Sequence, residues 1–185
     1  KEYALKPMNC PSHVLIYKSK SRSYKDLPLR IADFAPLHRN ELSGVLSGLT
    51  RVRKMSQDDA HIFVAPEQIE EEILRVLDFT HYIYNEIFDF EYKVELSTRP
   101  EKFMGKTEDW SIAEESLKKA LEGRCIKYEI KAGEGAFYGP KIDFHIKDAL
   151  GRSWQLATIQ LDFQLPERFD ANYVGADNAK HRVIM

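Results

Sequence analysis

The sequence predicts an α+β domain, an antiparallel β-sheet flanked by helices. The order of segments is strand-rich, two helices are inserted into it, and the strand pairs join through hairpin turns rather than helical crossovers. Composition agrees with one packed domain over residues 1–185. The chain has 185 residues, of which 43% are apolar, 11% aromatic and 30% charged. That is enough apolar side chain for one sizeable core, at the usual roughly 100–200 residues per domain.

Ser12 to Lys20 has the length of a short helix. From Leu29 to Val64 the texture is strand, broken at Leu42-Ser43-Gly44-Val45-Leu46-Ser47-Gly48. That Gly- and Ser-rich stretch reads as a mobile hairpin loop between two long antiparallel strands. A helix follows. Pro66 suits its first turn, where a missing N–H costs nothing, and Glu67, Glu70, Glu71 and Glu72 complement the positive end of its dipole. Ile69, Ile73, Val76, Leu77, Ile83 and Ile87 keep near-helical spacing. Tyr92 to Leu96 reads as a strand. A second helix over Thr107 to Leu121 puts Trp110, Ala113, Leu117 and Ala120 on one face. Ile126 to Ile130 is a further strand, and Lys141–Lys147 pairs with Arg152–Gln164 around Ala149-Leu150-Gly151.

Several classes are excluded. No stretch approaches the roughly 18 consecutive apolar residues of a transmembrane helix, and no signal-peptide pattern opens the chain, so no membrane role is expected. Two cysteines, Cys10 and Cys125, cannot form a disulfide framework, which points to a reducing compartment, the cytoplasm. A formal net charge of −2 removes a global basic field, so any polyanion contact must be local. The chain begins Lys1-Glu2-Tyr3 and ends on the apolar run Val183-Ile184-Met185 without a turn or cap. It reads as truncated at both ends, a piece of a longer polypeptide.

The chemistry concentrates in Arg51-Val-Arg-Lys-Met-Ser-Gln-Asp-Asp-Ala-His61. Side chains alternate faces in a strand, so Arg51, Arg53, Met55, Gln57, Asp59 and His61 share one side. The paired strand puts Leu37, Arg39 and Glu41 together. One sheet face then carries cations at one end, a flat soft residue in the middle, and a carboxylate with an imidazole at the other. The ordering suits an elongated ligand with polyphosphate at one end and an amine or hydroxyl at the other. The competing reading is a solvated strand face, and a bulge would scramble the parity.

Cys10, in Met8-Asn9-Cys10-Pro11-Ser12-His13, is by itself a small buried hydrophobe. With His61 it is compatible with zinc but does not imply it, and His13 is a competing ligand. His38, His81, His145 and His181 read as structural, and Cys125, opening a strand, as packed. Gly133-Glu-Gly-Ala-Phe-Tyr-Gly-Pro-Lys141 is not a phosphate loop, because it lacks the Gly-Lys-Ser/Thr ending and precedes a strand. It is either a hairpin turn or a tight turn aiming Tyr138 and Lys141 into a site. Gln155 and Gln160, set among Leu156, Ala157, Ile159 and Leu161, need hydrogen-bond partners where buried, and a ligand could supply them.

Met8-Asn-Cys-Pro, His38-Arg-Asn-Glu41, Gln57-Asp-Asp-Ala-His61, Leu96-Ser-Thr-Arg-Pro-Glu-Lys102, Gly133 to Lys141 and Ile159-Gln-Leu-Asp-Phe163 together resemble the threonyl-tRNA synthetase family. Any one of these motifs is weak, but in this order along the whole chain they are specific. The resemblance implies a class II synthetase catalytic domain. Its reaction makes threonyl-adenylate from threonine and ATP, then passes threonyl to tRNA(Thr). By the same resemblance Arg39 and Lys141 are catalytic, and Arg39, Glu41, Arg51, Met55 and Gln155 bind ATP together with Mg2+. Gln57, Asp59, Tyr138 and Gln160 bind threonine. Cys10 and His61 are two of three Zn2+ ligands, the third being a histidine beyond Met185.

The zinc would select threonine over its near-isostere valine, which an apolar pocket rejects only by a factor of about 10². A homodimer is implied for the full-length enzyme. Met55 departs from the family, which has a stacking aromatic there, and Ser12 replaces a glycine. The editing domain, the anticodon-binding domain, motif 1 and the motif 3 arginine are not among these residues, so the piece alone is expected to be incomplete and inactive. Two other readings compete with the enzyme: a synthetase-like, non-catalytic binding or regulatory module, and a scaffold whose zinc is fully ligated by protein.

Overall fold

The computed structural model describes residues 1–185 throughout. After an extended N-terminal segment, α1 (Cys10–Lys18) opens with Pro11 in its first turn and buries His13, Val14 and Tyr17. Four short strands follow: β1 (Leu29–Asp33), β2 (Pro36–His38), β3 (Lys54–Ser56) and β4 (Asp59–Phe63). β1 pairs with β4 and β2 with β3, both antiparallel. The long hairpin is therefore two ladders, not one. From Asp33↔Asp59 to Pro36↔Ser56 the chain advances equally on both sides. No bulge separates the ladders, and the alternation of faces survives the break. Arg39 N–H to Arg53 O at 2.9 Å extends the same register toward the tip, where Ser43–Val45 form a 3-10 turn.

Helix α2 (Ile69–His81) buries Ile69, Glu72, Ile73 and Leu77. A buried glutamate needs a partner, and Glu72 has one in Arg30 of β1, whose Nε donates to it at 2.8 Å. This docks the helix on the hairpin. The periodic pattern does not continue as α-helix through Ile87, because the chain leaves it in a π turn over Tyr82–Ile87. Asp89 then adopts a positive φ of 54°, and Ile87 is 53% exposed.

β5 (Tyr92–Ser97), α3 (Thr107–Gly123), β6 (Tyr128–Lys131), β7 (Lys141–Lys147) and β8 (Ser153–Gln160) build a four-stranded sheet in the order β6-β5-β7-β8. β5–β7 and β7–β8 are antiparallel, but β5–β6 is parallel. The expectation of hairpin connections alone fails here. α3 is 17 residues long, and a connection of a dozen or more residues is what a parallel pair requires. The expected helix face is buried in full, with Leu121 added to Trp110, Ala113, Leu117 and Ala120. Cys125 does not open a strand. It is exposed, with a φ of 53°, in the turn that closes α3.

The last strand of the pair ends at Gln160, not Gln164. Asp162 Oδ1 accepts from Gln164 N–H at 2.7 Å and Leu165 N–H at 3.0 Å, which turns the chain into α4 (Gln164–Arg168). β9 (Asn172–Val174) and β10 (Lys180–Arg182) close a small antiparallel ladder. The core has two parts. One gathers α2, α3, β5 and β7 around Leu77, Leu117, Ile142 and Phe144. The other packs α1 and β4 against the C-terminal residues through Val14, Tyr17, Phe63 and Val183. No helix is long and apolar enough to cross a membrane.

Candidate active site

The residues just before and within α1 meet β4. Asn9 is fully buried, and its Nδ2 donates to Asp59 Oδ2 at 2.9 Å. Its Oδ1 is buried without a hydrogen-bond partner. One helical turn on, His13 Nδ1 lies 2.7 Å from His61 Nδ1, ring edge against ring face. A hydrogen bond between two imidazole nitrogens needs the proton on one of them and a lone pair on the other. Asp59 Oδ1 is 3.9 Å from His61 Nδ1. Burial holds His61 below the usual imidazole range, with His13 adding to the effect and Asp59 opposing it. Burial, reinforced by the Asp59 charge, pushes the half-buried Cys10 thiol up to about 11.

Tyr138, from the glycine-rich loop, belongs to the same neighbourhood. Burial raises its phenol, Cys10 and Asp162 raise it further, and Arg39 opposes them. Arg39 is held from behind, its Nε donating to Pro7 O at 3.2 Å, so its terminal guanidinium nitrogens keep their N–H groups unengaged by protein. Toward the tip, Arg51 Nη2 pairs with Glu41 Oε2 at 3.2 Å, and Arg53 Nε donates to Glu41 O at 3.0 Å. Half-buried Met55 lies opposite Leu37. Gln57 falls in the break between the ladders and is exposed. The expected row of cations, thioether, carboxylate and imidazole is present along one side of the hairpin.

The second wall is the polar face of β7 and β8. Asp143 is 3% exposed. Its Oδ2 accepts from Lys141 Nζ and, at 3.2 Å, from Ser97 Oγ. Its Oδ1 accepts from Gln155 Nε2 at 2.7 Å and Thr158 Oγ1 at 2.9 Å. Tyr138 O–H donates to Gln160 Oε1 at 2.7 Å. Gln155 and Gln160 lie five positions apart, which strict alternation would put on opposite faces. The ladder shifts between Phe144↔Ala157 and His145↔Gln155, and this bulge at Leu156 returns Gln155 to the face of Thr158 and Gln160. The loop that presents Tyr138 is tight by close approach. A Cβ on Gly139 would come within 2.0 Å of Leu161 O, and one on Gly135 within 2.5 Å of Thr98 O.

The structure thus gathers Cys10, Asp59, His61, Arg39 and Tyr138, ties Tyr138 to Gln160, and ties Lys141 to Gln155. It does not close a metal site. No three His, Cys, Asp or Glu side chains converge in a metal-holding group. Cys10 and His61 alone do not fit a zinc centre, which needs at least three protein ligands. Sequence reading missed Asn9, Asp143, Ser97 and Thr158. Asp143 had a signal, since Lys141-Ile-Asp-Phe-His145 alternates polar and apolar and puts Asp143 beside Lys141. Asn9 had none, because its partner is 50 residues away.

A two-laddered hairpin carrying arginines, set beside an antiparallel-rich sheet with helices packed on its other face, defines the catalytic core of a class II aminoacyl-tRNA synthetase. The family model for the tRNA synthetase class II core domain (G, H, P, S and T) matches residues 1–185. The chain belongs to that family, in its threonyl-tRNA synthetase branch. It is 60% identical over 183 residues to the threonine–tRNA ligase of Caldanaerobacter subterraneus subsp. tengcongensis, covering 99% of this chain and 28% of that protein. The ligase of Finegoldia magna is 58% identical over 184 residues, covering 100% of this chain and 29% of that protein. A crystal structure of the RNA-binding domain of threonyl-tRNA synthetase from Cryptosporidium parvum Iowa II superposes with a TM-score of 0.92 at 50% identity. That match covers 97% of this chain and 45% of the other. The chain spans less than a third of the length of these curated relatives.

Proposed function

We propose that these residues form the site at which threonine is activated by ATP and then passed to tRNA(Thr), in a cytoplasmic enzyme that works as a homodimer. The observation that carries the reading is the order along one face. Arg51 and Arg53 lie toward the hairpin tip and the Asn9-held carboxylate of Asp59 at its base, with the unengaged guanidinium end of Arg39 and the Tyr138–Gln160 pair beside it.

In activation, a threonine carboxylate oxygen attacks the α-phosphorus of ATP. The bond from that phosphorus to the bridging oxygen breaks, and pyrophosphate leaves with the electron pair. Arg39 and Lys141 hold the charge that builds on the α-phosphate oxygens, where fixed cations are most effective. Arg51 lies toward the terminal phosphates. Opening the Glu41 ion pair would free both Arg51 for phosphate and the Glu41 carboxylate for the adenine amine. Met55 covers the base, and the carbonyl of Gln155 accepts from the nucleotide. Gln57, Asp59, Tyr138 and Gln160 surround the amino acid, Asp59 accepting from its hydroxyl. Mg2+ accompanies the phosphates.

Zinc, which these residues do not hold by themselves, would use Cys10, His61 and a histidine from outside residues 1–185. When bound, it would supply a Lewis acid for the amino and hydroxyl groups of threonine, and valine lacks the hydroxyl.

The test is amino-acid-dependent ATP–pyrophosphate exchange by the protein that carries this chain, with threonine, serine and valine compared. Threonine should exchange best, and Asp59→Ala should raise the threonine KM at least tenfold while the ATP KM stays within about threefold, the scale of a lost charged hydrogen bond. A rise confined to the ATP KM overturns the assignment of Asp59. Binding of threonine and ATP without exchange would leave a binding module in place of an enzyme.

A further inference from the structure

The most densely bonded side chain on the open face of the sheet is one that no role yet covers. Asp143 is 3% exposed, and four donors converge on its two oxygens: Lys141 Nζ and Ser97 Oγ on Oδ2, Gln155 Nε2 and Thr158 Oγ1 on Oδ1. A buried carboxylate is tolerated only when paired and hydrogen-bonded, and this one uses essentially all of its acceptor capacity. We propose that Asp143 is the positioning residue of the site, its carboxylate fixing both the direction of the Lys141 ammonium and the amide orientation of Gln155. The inference rests on the reading of Lys141 and Gln155 given under Proposed function.

The amide argument is specific. Gln155 Nε2 donates to Asp143 Oδ1 and also, at 2.8 Å, to Thr158 Oγ1. Both of its N–H bonds are committed, so Oε1 is the atom left for a ligand, and Gln155 faces that ligand as an acceptor. Lys141 spends one of three N–H donors on Asp143 and keeps the others. One carboxylate therefore sets a cation and an acceptor side by side, from two strands. Asp143 sits opposite Thr158 on β8, and Lys141 opposite Gln160, so the pair is rigidly spaced by the ladder. A purely structural ion pair would need neither the two amide bonds nor an opening onto the face that holds Tyr138 and Gln160.

Asp143→Asn exposes the difference. Asparagine offers one oxygen and one NH2 group. If the oxygen serves Lys141, the NH2 confronts the Gln155 NH2, and Gln155 must flip and present a donor where an acceptor stood. In ATP–pyrophosphate exchange by the full-length protein, Asp143→Asn should lower kcat about tenfold or more and raise the ATP KM by a similar factor, the scale of charged hydrogen bonds. Asp143→Glu keeps charge and both oxygens and should recover most of both. The losses should be non-additive. Asp143→Asn should add little to the kcat of Lys141→Ala or to the ATP KM of Gln155→Ala.

A merely structural role predicts a fall in kcat with unchanged KM, multiplied onto each partner variant, and that result overturns the proposal. Should Asp143→Asn not accumulate folded, the same cycle is run with Asp143→Glu, whose smaller losses must also be non-additive. If Lys141→Ala and Gln155→Ala each leave exchange intact, the reading of the site itself fails, which is a distinguishable outcome.

Discussion

Met55 stands in the middle of the row that runs from the arginines to Asp59, half-buried opposite Leu37. A thioether covers a flat ring through contact alone, whereas an aromatic adds a stacking preference worth about 0.5–1.5 kcal/mol beyond area. Met55→Phe should therefore tighten ATP binding by roughly two- to tenfold, read as the ATP dissociation constant by equilibrium titration. An unchanged or weaker constant would mean that this side chain does not cover the base. The placement of Met55 was legible from parity because both ladders of the hairpin share one register, so counting by twos from Arg51 reached His61 correctly. The partners of Asp59 and His61 were not legible. Asn9 and His13 reach them from 50 and 48 residues away, and contacts of that separation leave no mark in local spacing.

Elements were read correctly wherever one apolar face decided them, as in α3, and misread wherever a polar side chain or a backbone irregularity set the boundary. The bulge at Leu156 is invisible to alternation and yet puts Gln155 on the working face. The parallel pairing of β5 with β6 is permitted by the length of α3, a crossover that hairpin turn signals do not reveal. The end of β8 is set by Asp162, which is 6% exposed and starts α4. Burial raises its carboxyl above 3.8, opposed by the N–H groups of Leu165 and Gln164. A raised carboxyl means that the unfolded chain ionises first, so the contribution to stability is present below about 3.8 and is lost as pH rises through the higher folded value. Both N–H groups donate to the same oxygen, Oδ1, which asparagine retains. Asp162→Asn should therefore raise Tm at pH 7, and the gain should shrink to nothing as the pH falls below the unfolded carboxyl value. Thermal unfolding across that range checks it, and a loss of Tm at neutral pH would show that the charge itself holds the turn.

At the scale of the whole molecule, the two halves of the core are joined by the C-terminal residues. Ile184 N–H and C=O both pair with Val64, each at 2.9 Å, and Asp162 N–H donates to Met185 O at 2.8 Å. Ile184 packs into the core of the four-stranded sheet, while its neighbour Val183, fully buried, packs with α1 and β4. The apolar run that sequence alone left without a turn or cap is a seam, alternating its side chains into the two clusters as a strand does. Glu72 with Arg30 is a second tie between α2 and the hairpin. Two clusters linked at two places should unfold together. The expected result is one transition for the 185-residue chain, coincident by tryptophan fluorescence, where Trp110 reports α3 and Trp154 reports β8, and by far-ultraviolet circular dichroism. Ile184→Ala removes a buried side chain at the seam and should cost about 2–5 kcal/mol. By weakening the link as well as the packing, it should also pull the two probes apart. If the variant loses stability while both probes still coincide, the seam contributes packing but not coupling. If the unaltered chain already shows separate transitions, the two clusters are independent folding units, and the hairpin that carries Asp59 and His61 is held to the sheet that carries Lys141 and Asp143 by something other than residues 183–185.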